Sequence, residues 1–102
     1  MKYLLNNFDK AFENKVRLGV MSALMVNESM EFNRLKELLG VTDGNLASHL
    51  KALEKVAYIN IKKQFVDRKP NTRYSATSAG KKAFNDHLNA LEALLRDQKQ
   101  QS

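Results

Sequence analysis

Two leucine rows separated by a glycine do most to limit what this chain can become. Leu35, Leu38 and Leu39 fall on one face of a short helix, and Gly40 ends that helix because it tolerates a left-handed backbone. Thr42 suits the N-cap of a second helix in which Leu46, Leu50 and Leu53 share a side, with Val56 and Ala57 extending the stripe. Helices separated by little more than Gly40-Val41 match a helix-turn-helix, expected at about 33–57.

Upstream, Phe8, Phe12, Val16, Val20 and Leu24 recur at four-residue steps, which predicts a long first helix from Phe8 to Met25. Asn14 is also able to cap a separate helix starting at Lys15, which would place a break near Glu13. Asn27-Glu28-Ser29 reads as an exit turn, and Met30-Glu31-Phe32 as a small strand or extended connector before Asn33 caps the next helix.

Downstream, Tyr58, Ile59, Ile61, Phe65 and Val66 alternate loosely with polar residues and predict a strand. Asp67-Arg68-Lys69-Pro70-Asn71 interrupts it and Thr72 to Ala76 returns, giving a basic-tipped hairpin over about 58–76. Thr77 caps a last helix over about 77–97, and Gln98 to Ser102 reads as a frayed tail. Phe84, Leu88, Leu91 and Leu95 form a seam of coiled-coil type in that helix, widened by Ala83, Ala90 and Leu94. This is more apolar surface than a terminal helix packing only on its own subunit needs, so a second copy is its expected partner.

The 102 residues suit one domain, and 43% apolar with 27% charged residues is an ordinary globular balance. The expected class is mainly α with a small β-hairpin, a single unit spanning 1–102. Cysteine is absent, which excludes disulfides and thiolate chemistry. No apolar run approaches the roughly 20 residues that span a bilayer, and Met1 to Leu5 leads into polar Asn6-Asn7 rather than a signal-peptide core. A cytoplasmic protein with no membrane partner and no cofactor is expected. The formal charge of +6 and pI near 9.7 favour an acidic partner. The excess lies between Thr42 and Ala76, where Lys51, Lys55, Lys62, Lys63, Arg68, Lys69 and Arg73 face only Asp43, Glu54 and Asp67.

The run from Leu35 to Lys55 resembles the central segment of winged-helix transcriptional regulators of the ArsR/MarR type. Tyr58-Ile59, Arg68 to Tyr74 and Thr77-Ser78-Ala79-Gly80 are similar to the wing and last-helix start of their compact members, and Asn14 to Leu18 extends the match. The resemblance implies a winged helix-turn-helix that binds double-stranded DNA as a homodimer. It also implies a dimer contact between first and last helices, which places Phe8, Phe12, Phe84, Leu88, Leu91 and Leu95 there. Ala57 stands where the family usually has glycine, which implies a less sharply turned helix end, and Asn71 stands where arginine is common.

On the second helix of the motif, about 100° per residue puts Gly44, Ser48, Lys51 and Lys55 opposite the leucines, with Asn45 and Ala52 beside them. Asn45 and Ser48 suit base edges, Lys51 and Lys55 suit phosphates, and Gly44 allows the helix start, capped by Thr42, to approach closely. Arg68, Lys69, Asn71 and Arg73 are the expected wing contacts. His49 is expected to pack or bond locally, and Tyr58 and Tyr74 to pack under the wing. Asp43, Ser48 and His49 on one short stretch of helix cannot converge as a triad, so no catalysis is expected. Asp86, His87 and Glu92 do not make a metal set, and His87 reads as packing. Met21, Met25 and Leu94 are candidates for lining an apolar effector pocket. Fold does not fix function, so the basic face or last helix also suits a protein partner.

Overall fold

The computed structural model describes residues 4–101, and the amino-terminal Met1 to Tyr3 and the final Ser102 lie outside them. Four α-helices and a three-stranded antiparallel sheet make an α+β winged helix: α1 Lys15–Val26, β1 Met30–Glu31, α2 Phe32–Leu39, α3 Asp43–Lys55, β2 Ile59–Val66, β3 Lys69–Ala76 and α4 Ser78–Gln101. Val20, Met21, Leu24, Leu35, Leu46, Leu50, Leu53 and Ile59 meet in one core with Phe12, Tyr74 and Phe84.

The long first helix does not form; two 3-10 turns, Leu4–Asn7 and Lys10–Phe12, precede α1. The alternative with Asn14 as a cap is the one adopted. Asp9 accepts from the Ala11 N–H at 2.9 Å, and Asn14 Oδ1 accepts from Val16 and Arg17 N–H groups at 2.9 and 3.2 Å. Each side chain satisfies donors that a continuous helix would have bonded internally, so the chain restarts twice.

Helix α2 begins at Phe32 after Glu31, which makes no side-chain cap bond, rather than at an Asn33 cap. Gly40 ends it at φ 64°, and Thr42 Oγ1 then accepts from the Asn45 N–H at 3.2 Å to open α3. Lys36 Nζ lies 2.6 Å from Asp43 Oδ1 and bridges the two helices across this turn.

The end of α3 is as sharp as a glycine would make it. Ala57 adopts φ 63°, its N–H donates to Glu54 O at 2.9 Å, and the Tyr58 N–H donates to Leu53 O at 3.0 Å. This paired capping closes the helix with alanine in the left-handed position, which corrects the expectation of a looser end. The hairpin is also tighter than expected. Its turn is the two residues Asp67 and Arg68, at φ 52° and 66°, and β3 already runs through Pro70, opposite Phe65. Both positive values match the twist that joins adjacent strands. Proline is tolerated there because β1 reaches β3 only at Arg73 and Tyr74, which leaves the outer edge at Pro70 without a strand partner.

Helix α4 starts where the thread crosses the end of α3. Thr77 donates its hydroxyl to Ala57 O at 2.7 Å, accepts from the Gly80 N–H at 2.9 Å, and donates its own N–H to Tyr58 O at 3.0 Å. A Cβ on Gly80 would sit 2.1 Å from Tyr58 O, so this crossing requires glycine. The helix continues to Gln101, past the expected end near 97, and gives the molecule extents of 60 × 26 × 21 Å. Its radius of gyration of 15.8 Å exceeds the ~13 Å of a compact chain this long, because α4 overhangs the body.

Candidate nucleic-acid interface

Helix α3 has two unlike sides. Leu46, Leu50 and Leu53 are fully buried against α1 and β2, whereas Gly44, Asn45, Ser48, Lys51 and Lys55 are exposed together with the cap Thr42. Lys51, Lys55, Lys62, Lys63, Arg68 and Lys69 take part in none of the ion pairs among the described residues, which draw on Arg34, Lys36, Arg73, Lys82 and Arg96. Six of the cations outside those pairs therefore lie on α3 and the hairpin, where they are available to an anionic partner; Lys10, Lys15 and Lys81 lie elsewhere.

Arg73 does not join them. Its Nε donates to Ser29 Oγ at 2.8 Å, Nη1 to Glu31 Oε1 at 3.0 Å and Nη2 to Ser29 O at 3.3 Å. The register pairs Arg73 with Glu31, so the guanidinium fastens β1 to the sheet. Asn71 is half-buried and accepts from Gln64 Nε2 across the hairpin at 3.4 Å. Lys62 and Lys63 were legible only as charge; strand alternation around the basic turn was the signal that would have put them at the wing.

Behind α3, Arg17 Nη1 donates to His49 Nδ1 at 3.1 Å while Arg17 Nε donates to Ala11 O at 2.7 Å. Helix α3 is thus tied to the segment before α1, a role for Arg17 that periodicity alone did not reveal. Burial first, and then the Arg17 charge, hold the His49 imidazole below its ordinary pKa. Asp9 is a second tie. Its carboxylate accepts the Tyr58 hydroxyl at 2.6 Å, and its N–H donates to His87 Nδ1 at 3.1 Å. The bond to Asp9, followed by burial and the carboxylate charge, pushes the Tyr58 phenol up to about 12. Tyr58 also stacks on Phe12 at 5.6 Å, and Tyr74 is buried beneath the sheet.

The expected dimer seam splits into two faces. Phe12 and Phe84 are 3% and 6% exposed and meet edge to face at 5.4 Å, so both belong to the core of their own subunit. Phe8 is half-buried against His87 at 5.2 Å. Leu88, Leu91 and Leu95 remain outward at 43%, 45% and 61% exposure. A helix has room for both faces, and the body takes the one carrying Phe84, His87 and Ala90.

Met21 is fully packed in the core, and a cleft of about 390 Å³ opens elsewhere, among Asp9, Arg17, Ala52, Val56 and Tyr58. Among the described residues, no three His, Cys, Asp or Glu side chains are placed to hold a metal ion, and no helix is long and apolar enough to cross a membrane.

Comparison with known proteins follows the same lines. The winged helix DNA-binding domain family matches residues 16–95. An uncharacterized protein of Methanocaldococcus jannaschii is 38% identical over 79 residues, 78% of this chain and 86% of the relative. A transcriptional regulator homologue from Pyrococcus horikoshii OT3 superposes with a TM-score of 0.86 at 30% identity, covering 95% of this chain and 97% of that one. A chain assigned to the MarR regulator family, from Enterococcus faecalis V583, shares the fold at a TM-score of 0.71 and 23% identity, over 98% of this chain and 86% of its own. The family and its fold are non-enzymatic, in agreement with the absence of a triad expected from α3. The chain belongs to the winged helix DNA-binding domain family, among the winged-helix transcriptional regulators.

Proposed function

We infer that the chain regulates transcription as a homodimer, with one α3 in each of two successive major grooves and each hairpin on the flanking backbone or minor groove. Half-sites about one helical turn apart would suit the symmetry of such a pair. The two-sided character of α3 carries this reading: a leucine row sunk in the core fixes the helix, and the opposite row is polar, cationic and unpaired. Asn45 and Ser48 read base edges, Lys51 and Lys55 hold phosphates, and Gly44 and Thr42 bring the helix start to the backbone. Arg68 and Lys69 serve the wing, with Lys62 and Lys63 added to the set and Arg73 removed from it. Leu88, Leu91 and Leu95 pair the two copies along α4, since an overhanging helix with three exposed leucines gains burial only from another chain. The whole of 1–102 works as one such unit, and the cytoplasm, where it would meet DNA, is its proposed compartment.

Selection of bound duplexes from a random pool tests the reading directly. A two-fold symmetric site whose binding constant falls steeply with log salt is the expected result, because each neutralised phosphate releases counterions. Failure to enrich any duplex, or an affinity that stays flat with salt, would overturn it.

A further inference from the structure

The hairpin tip carries an apolar cluster that the cationic reading of the wing leaves unused. Phe65 is 77% exposed, and it is the aromatic residue among the described ones that joins no ring contact. Alternation puts Ile59, Ile61, Lys63 and Phe65 on one face of β2, and along that row burial gives way to exposure as the hairpin leaves the body. Pro70 lies directly opposite Phe65 in the register, and Val66, itself exposed, precedes the two-residue turn. Lys63, Arg68 and Lys69, all outside the ion pairs, surround this apolar tip.

We propose that Phe65 is a wedge that enters the minor groove and partly unstacks a base step, kinking the duplex beside each half-site. The proposal rests on the DNA-binding reading above and deepens it. A two-stranded ribbon is too broad to sink into a groove about 6 Å wide, so only side chains at its end reach the base edges. Apolar side chains inserted between base steps are a general means of bending DNA, and the flanking cations hold the phosphates on either side. Positive charge suits any anionic surface, and membership of a DNA-binding domain family selects this occupant over a lipid surface or a protein. The cations beside Phe65 are continuous in kind with those of α3, and Asp67 is the single acid of the hairpin. With Arg73 engaged at Ser29 and Glu31, Phe65 is the aromatic group that the tip leaves free to enter the groove, with Arg68 beside it for the phosphates.

The test uses duplexes that the wild-type chain selects from a random pool. End-labelled duplexes report bending by energy transfer, and 2-aminopurine placed at successive flanking steps reports unstacking. Wild type should bend the duplex and raise 2-aminopurine emission at one step per half-site. Phe65→Ala should bind about tenfold more weakly, as expected for loss of base stacking on one aromatic ring, and lose both signals. Phe65→Trp should keep them. If Phe65→Ala bends and unstacks the selected duplex as wild type does, the wedge is refuted while DNA binding stands. Loss of binding to anionic vesicles in Phe65→Ala, with the DNA signals intact, would refute it in favour of a lipid surface. If wild type selects no duplex, the underlying reading fails, and the wedge with it.

Discussion

Gly44 offers a direct way to separate what the fold needs from what a ligand needs. It is the second residue of α3, its φ is not in the left-handed region, and a Cβ built there meets no atom within 4 Å. The protein by itself therefore has no use for a glycine at this position. In a helix interior glycine is about 0.8–1.0 kcal/mol worse than alanine, and close to a helix end the penalty shrinks. Gly44→Ala should accordingly stabilise the free protein by about 0.5–1 kcal/mol, which raises Tm by roughly 2–8 °C for a domain of this size. If the start of α3 approaches the DNA backbone, the new methyl group must displace a close contact. By the scale of overpacking that costs about 1–3 kcal/mol, or roughly 5- to 150-fold in affinity. Thermal melts and fluorescence anisotropy on a selected duplex at fixed salt read the two effects separately. A variant that is more stable and binds within twofold of wild type would refute the close approach, and one that gains no stability would refute the claim that the fold does not use this glycine.

Gly80→Ala should behave in the opposite sense, because its Cβ would lie 2.1 Å from Tyr58 O where about 3.3 Å is normal. Overpacking and a lost Thr77–Tyr58 bond outweigh the propensity gain, so urea unfolding should show a loss of about 2–3 kcal/mol, and a loss below 0.5 would contradict the crossing geometry. Arg73→Ala should destabilise the fold by about 1 kcal/mol through its Ser29 and Glu31 bonds yet change DNA affinity less than about twofold; a loss matching that of Arg68→Ala would return Arg73 to the interface. Leu91→Glu should leave each subunit folded and sediment as a monomer, so a persistent dimer would place the contact elsewhere. The depressed His49 pKa means the folded state binds fewer protons than the unfolded chain, so its contribution is present above pH 6.5 and is lost as pH falls from there through the lowered folded value. Urea midpoints measured from pH 7.5 to 5 should fall more steeply in wild type than in His49→Gln, and equal slopes would remove His49 from the account.

Helices α2 and α3 were legible because a 3.6-residue period, a left-handed glycine and a threonine cap agree on the same boundaries. The break before α1 was half legible, since Asn14 announced itself but Asp9 did not. The two faces of α4 were not, because periodicity places Phe84 and Leu88 on one broad stripe without saying which neighbour covers it. Arg73 reads as a wing cation until the register of β1 puts Glu31 beside it, a non-local pairing that no local pattern carries. The turn at Asp67-Arg68 and the bend at Ala57 escaped for another reason: positive φ is expected of glycine or asparagine, and arginine and alanine adopt it here under the constraint of the surrounding bonds. Phe65 was visible as a strand residue, but its exposure depends on where the sheet outruns the body.

The clasp at Asp9 bears on distance as well as stability. One residue joins the tyrosine at the foot of the hairpin, the histidine midway along α4 and the short turn between them, so three hydrogen bonds couple the wing to the helix proposed to pair the two copies. In the proposed two-fold assembly, the gap between the two copies of α3 would follow the angle that these bonds set. A change confined to Asp9 would retune which half-site separations are accepted while every residue that touches a base stays the same.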